Sequence, residues 1–266
     1  PGNYPRIQGT FEYPSMLCNY LTAGLMILLA FRHLGRIGGR SFCLLLAILS
    51  IAIFFTLTPG IGGVLAAAAL WIYLISRTSH HVVTARLAVI GVVGSIIALI
   101  LISSFTPFGS ASPVYLSLAG YDFTPSARLL TWQQAIATFA GHPILGVGLG
   151  VPVVNLPYQL PSGAWALITD AHNIALNVAA QAGLLGLAGI TAVGVSAIRR
   201  VDLSTKELTD LSTIRIALGV AFVSCFVVQG MVGSFENARH LWVLIGLIVA
   251  SANITPPPQP TEEPRA

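Results

Sequence analysis

The feature that most constrains this chain is its long stretches without a charged side chain. None occurs between Arg40 and Arg77, between Asp170 and Arg199, or between Arg215 and Glu236. Runs of this kind approach the roughly 20 apolar residues that a helix needs to cross a bilayer. Over 266 residues the chain is 55% hydrophobic and only 8% charged, whereas a soluble domain carries about 25% charged residues. With a mean hydropathy of +0.82, lipid rather than water is the expected solvent for most of the chain. The three cysteines lie inside apolar runs without paired spacing, so neither a disulfide framework nor a zinc site is expected. The net charge of +4 matters less than where the positive residues fall, and no nucleic-acid partner is expected.

Apolar runs predict helices over residues 16–34, 41–57, 60–76, 87–105, 174–198, 214–234 and 241–254, with a tight turn at Pro59-Gly60. The expected fold is all-α: a polytopic transmembrane bundle of about seven spans with a partly helical outward-facing loop domain. Sorting Lys and Arg by alternate loops puts nine on one side (Arg32, Arg36, Arg40, Arg77, Arg86, Arg199, Arg200, Lys206, Arg215) and three, Arg6, Arg128 and Arg239, on the other. Positive residues resist translocation, so the richer side is cytoplasmic. The expected organisation is therefore an outward segment over 1–15, four spans over 16–105, a large extracytoplasmic loop over 106–173, three spans over 174–254, and a disordered cytoplasmic tail over 255–266. Pro1 is neither a start residue nor part of a signal region, and the chain is expected to be a portion of a longer protein. The connector 199–215 reads as a topology anchor, and the adjacent His80 and His81, about 100° apart on a helix end, do not suggest a metal pair.

The outward side holds the chemistry. The loop over 106–173 is too long for a turn and too apolar for a spacer, so it is expected to fold. Within 126–140, Leu129, Trp132, Ile136 and Phe139 or Ala140 recur at three- and four-residue steps, predicting an amphipathic helix capped by Thr124 or Ser126. Arg128 then lies in the first turn, where a cation opposes the helix dipole, and this mismatch favours anion binding. Gly146, Gly148 and Gly150 allow close backbone approach, but they lack the lysine and context of a phosphate loop, so packing is the expected role. His142, before Pro143, reads as structural. Asp170 or Asn173 can cap the helix beginning at 174, which puts His172 at the membrane interface. Three arginines with an interfacial histidine suggest an electropositive pocket for phosphate, while Arg239 alone has Glu236 as a neighbouring pairing partner.

Four segments resemble the O-antigen ligase and polymerase superfamily of bacterial envelope glycan assembly. Arg6 with Gly9-Thr10-Phe11 and Pro14 is similar to its pre-helix element. Arg128, Trp132 and Ala135 followed by His142-Pro143-Ile144-Leu145-Gly146-Val147-Gly148 resemble its outward helix and glycine-rich element. Ala171-His172-Asn173 resembles its histidine-asparagine element, and 234–247, with Arg239 and Leu241-Trp242, its last helix pair. Ser15, where members commonly carry asparagine, and 59–62, where they carry a serine-arginine pair, depart from the pattern.

The resemblance implies a metal-independent glycosyltransferase without a cofactor in the bacterial cytoplasmic membrane, its active face outward. The donor would be a polyprenyl-diphosphate-linked glycan and the acceptor a hydroxyl of a glycan, lipid or protein. Arg6 and Arg128 are the expected clamp on the leaving diphosphate, with Arg239, Trp132 and Asn173 as further substrate contacts. An imidazole titrates near neutral pH, so His172 is the expected general base, with Asp170 as a candidate to orient it. The alternative is a transporter, for instance of bicarbonate, which would place its ionisable residues at mid-membrane beside broken helices. Here nearly all charge lies at predicted helix ends.

Overall fold

The computed structural model describes residues 9–11, 13–76, 90–91, 93–94, 97, 105–106, 116–118, 121–125, 127–159, 164–201 and 209–254. Arg6, the histidine pair 80–81, most of the expected helix 87–105, residues 202–208 of the connector 199–215 and the tail 255–266 lie outside them.

The chain is dominated by helices: α1 (Pro14–His33), α2 (Gly39–Phe55), α3 (Ile61–Ser76), α4 (Ala127–Gly141), α5 (Ile174–Arg199), α6 (Asp210–Phe222) and α7 (Arg239–Ala252). A π-helical turn, Val223–Val228, and a 3-10 turn, Gln229–Met231, extend α6. Pro14 starts α1 at a position whose N–H needs no intrahelical partner. The helix ends with Arg36 N–H donating to Phe31 and Gly35 N–H to Arg32, which satisfies its last carbonyls. Thr209 caps α6 by accepting the Ser212 amide at 3.1 Å, and Asp210 favours the first turn.

Among the described residues three helices are long and apolar enough to cross a membrane: Pro14–His33, Ile174–Arg199 and the continuous Asp210–Met231. Gly39–Phe55, Ile61–Ile75 and Arg239–Ala252 are apolar but shorter. Six of the seven expected runs therefore correspond to three full-length helices and three short ones, and the seventh, 87–105, lies mostly outside the described residues.

The main core lies where α1, α3, α6 and α7 meet, around Met26, Trp71, Ile216, Phe222, Leu241 and Ile248. α1 and α6 run antiparallel, because Arg36 pairs with Asp210 at 2.7 Å while Asn19 Nδ2 donates to the Cys225 carbonyl at 2.8 Å. α7 follows the same axis. His240 meets Asn19 at one end, and at the other Arg215 donates to the Ser251 carbonyl at 2.5 and 3.1 Å, closing the C-terminus of α7. Arg36 and Arg215 thus gather at one end of the bundle, and residues 171–177 and 229–240 at the other.

The segment between the third helix and α5 adds two small antiparallel sheets that alternation in the sequence did not signal. β1 (Phe105–Thr106), β3 (Tyr121–Pro125) and β2 (Leu116–Leu118) pair in the order β1-β3-β2. β4 (Leu156–Gln159) and β5 (Trp165–Ile168) form a hairpin in register Leu156↔Ile168 to Gln159↔Trp165. Strands of two to five residues are too short to express a period, so the all-α expectation is corrected in this segment.

α4 also corrects its expected face. Its innermost positions are Thr131 and Ala135, both at 0% exposure, and Ile136 is 52% exposed. Ala135 packs with Val153, Val154, Ala171 and Ala180 in a small second core. Small residues let α4 approach α5 closely, a geometry that counting large apolar residues does not anticipate.

The least regular backbone is in α5, at Gly183 (φ 64°, ψ −162°). In an unbroken helix Leu184 and Leu185 would donate to Ala180 and Gln181. Here Val147 N–H takes the Ala180 carbonyl and Gly148 N–H the Gln181 carbonyl, each at 2.9 Å, while Leu184 and Leu185 donate to Pro143 and Ile144 at 2.9 and 3.4 Å. The loop after α4 thus splices into the break. A Cβ on Gly183 would lie 2.1 Å from the Ile144 oxygen, and one on Gly146, itself at φ 69°, 2.2 Å from the Gln181 carbonyl carbon. Of the three glycines singled out in the sequence, Gly146 makes this close approach, whereas a Cβ on Gly148 would meet only the Val151 side chain at 3.3 Å and one on Gly150 nothing within 4 Å.

Candidate functional site at the start of α5

Asn173 is the N-cap of α5, accepting the Leu176 amide at 3.1 Å with Oδ1. Its Nδ2 donates to the Met231 carbonyl at 3.1 Å, so the side chain is committed to the protein at both ends. Asp170 does not cap the helix. It turns instead to His172, accepting the His172 backbone N–H at 2.8 Å and pairing with the imidazole Nδ1. The two-residue spacing permits this because His172 adopts φ 48°, a left-handed conformation uncommon for a non-glycine residue and associated with functional sites. Burial raises the Asp170 carboxyl, but the side-chain hydrogen bond, charge and backbone N–H of His172 outweigh it and hold the group below its ordinary value.

Two contacts fix this turn from behind. Asn177, one turn into α5, accepts the Ala171 N–H at 3.1 Å and donates to Glu236 Oε1 at 2.6 Å. Burial pushes the Glu236 carboxyl up, and its Oε2 has no hydrogen-bond partner among the described residues. On the α4 side, the Thr131 hydroxyl reaches both the Arg128 carbonyl at 2.8 Å and the Ala171 carbonyl at 3.2 Å. Arg128, half-buried in the first turn of α4, is thereby tied to the residue preceding His172.

The remaining predicted residues divide. Trp132 is half-buried and packs against Ala66, Val228 and Val232, which makes it a wall between α4 and the bundle. Arg239 is exposed at the start of α7 and forms no ion pair with Glu236 among the described residues. Arg6 lies outside the described residues, but Phe11 of the same element packs against Tyr20 at 5.3 Å and edge-on to His240 at 6.3 Å between centroids. The structure therefore gathers Arg128, His172 and Asn173, and adds three residues that the sequence reading did not assign to the site. These are Asn177, Glu236 and His240, whose Nε2 lies 2.5 Å from Asn19 Oδ1. A polar residue facing inward at one helical turn from a cap, as Asn177 does, is the signal that was available.

Among the described residues no cluster of three or more His, Cys, Asp or Glu side chains has metal-binding geometry. The arrangement offers a carboxylate-oriented imidazole, with Arg128 on α4 tied to the same turn through its backbone carbonyl and Arg239 exposed at the head of α7. An imidazole so held can accept a proton, and guanidinium groups can hold phosphate oxygens.

A search of curated proteins finds no match to the chain. A family model described as O-antigen ligase matches residues 43–191, more than half of the 266. That span contains Arg128, Trp132, His172 and Asn173, and leaves Arg6 and Arg239 outside it. On this match and its apolar helices, the chain belongs to the O-antigen ligase family, integral membrane proteins of polysaccharide biosynthesis.

Proposed function

We propose that the protein transfers a glycan from a polyprenyl-diphosphate carrier to an acceptor hydroxyl on the outer face of the bacterial cytoplasmic membrane. His172 takes the acceptor proton as the hydroxyl oxygen bonds to the anomeric carbon. The bond from that carbon to the diphosphate breaks, and its electron pair leaves on the carrier. Arg128 holds the developing charge, together with Arg6 and Arg239, so neutralising the leaving group requires no divalent ion. Asn173 and Trp132 shape the site, Asn173 by anchoring the turn and Trp132 by closing the space behind α4. The acceptor is a hydroxyl of a glycan, a lipid or a protein.

The observation that supports this reading best is the Asp170–His172 pair on a left-handed turn at the head of α5, because a neutral imidazole held at Nδ1 presents Nε2 as a base. Complementation tests it. The protein carrying this chain, expressed in glycan-assembly mutants, should restore surface polysaccharide, and Arg128→Ala should lose that restoration at equal membrane abundance. Restoration by Arg128→Ala equal to that of the parent would remove Arg128 from the clamp.

A further inference from the structure

The sequence places the loop after α4 in an outward-facing loop domain, yet its hydrogen bonds tie it to the interior of a helix that has the length of a membrane span. Arg199 and Arg200, both exposed, mark one end of that span; long cationic side chains reach water from a bilayer boundary. At 1.5 Å per residue, Gly183 is about 24 Å along α5 from Arg199, and the hydrocarbon layer is about 30 Å thick. The break in α5 therefore lies about 6 Å inside the opposite boundary.

We propose that residues 143–150 form a re-entrant wedge whose Ile144, Leu145 and Leu149 side chains contact lipid acyl chains in the leaflet on the His172 side. Irregular backbone at that depth is tolerated only when its polar groups are satisfied by protein. The splice meets this at its centre: the amides of Gly146, Val147 and Gly148 donate to His142, Ala180 and Gln181, and the Pro143 and Ile144 carbonyls accept from Leu184 and Leu185. The side chains meet the other requirement. Leu145 is 70% and Leu149 81% exposed, and no charged residue occurs from 143 to 155. They continue the exposed apolar face formed on α5 by Leu184 and Leu185. Lipid is the occupant that fits, because the surface adjoins the lipid-facing stripe of a spanning helix. The proposal does not depend on the transfer chemistry.

Nitroxide accessibility tests it in the full chain reconstituted into phosphatidylcholine vesicles. Only the exposed Cys43 needs replacing, since Cys18 and Cys225 are buried, and the Cys43→Ser parent must take up no label. Labels are placed at Leu145→Cys and Leu149→Cys, with Leu185→Cys as the lipid reference and Asn155→Cys as the aqueous one. All four side chains are exposed, so none of these changes removes core packing. Labels at 145 and 149 that collide with oxygen in preference to a water-soluble nickel chelate, as at 185, support the wedge. Nickel accessibility at 145 and 149 equal to that at 155, with 185 still lipidic, overturns it. Nickel accessibility at 185 as well overturns both the wedge and the α5 span on which it rests.

Discussion

Asn177 and Glu236 are joined by a 2.6 Å hydrogen bond that holds the head of α5 against the turn before α7. Because Asn177 also accepts the Ala171 amide, this bond sets the backbone immediately before His172. The two acids near the turn have opposite pH behaviour. Burial, with a smaller contribution from the Asp170 charge, raises Glu236 above 4.5, so its contribution to stability is complete below 4.5 and is lost as pH rises through the raised value. Glu236→Gln keeps the accepting oxygen and cannot ionise. It should unfold in detergent at a temperature no lower than the parent at pH 7 to 8, with a flatter pH profile. Glu236→Ala should cost about 1–3 kcal/mol by leaving the Asn177 amide without a partner.

Asp170 behaves in the opposite sense. Burial alone would raise it, but its bonds to His172 keep its carboxyl below 3.8, so the stability from the pair is present above 3.8 and is lost as pH falls through the lowered value. Asp170→Asn should remove that acid-side loss from thermal unfolding curves. It should also slow transfer by about 10²–10⁴-fold at pH 7, because the imidazole loses the partner that orients it.

Gly183 and Gly146 face each other's backbone across the splice, with Cβ positions 2.1 and 2.2 Å from the opposing carbonyl atoms. Gly183→Ala or Gly146→Ala should each destabilise by about 3 kcal/mol or more, since a positive φ and a backbone collision act together. Gly189→Ala, in open space on the same helix, should change stability by less than about 1 kcal/mol. Thermal unfolding in detergent compares the three.

On the proposal that arginines neutralise the leaving diphosphate, transfer by the purified protein should persist in excess EDTA at more than half its rate in magnesium. A loss that added magnesium restores would place a divalent ion in the reaction.

Two of the candidate residues stood out in the sequence because their residue types break local rules. Arg128 sits at a helix terminus that disfavours cations, and His172 interrupts an apolar run just before a helix. The bundle was legible from uncharged runs ended by arginines. What the sequence did not reveal depends on contacts distant along the chain. Asn177 to Glu236 spans 59 positions. Ile136 fits the apolar period but faces outward, because Thr131 and Ala135 bring α4 closest to α5. The break in α5 was hidden for a similar reason: Gly183 is one of many glycines in apolar runs, and only the loop at 143–148 gives it a left-handed conformation.

The central claim is that His172 is the base for glycan transfer, and direct transfer measures it. Purified protein in lipid nanodiscs is given a polyprenyl-diphosphate-linked oligosaccharide and a hydroxyl acceptor, and release of free polyprenyl diphosphate is followed. The parent should release it in step with product, and His172→Ala, folded by circular dichroism though lower in unfolding temperature for want of the Asp170 pair, should fall by at least about 10²-fold. Transfer by His172→Ala at the parent's rate would contradict the assignment of His172.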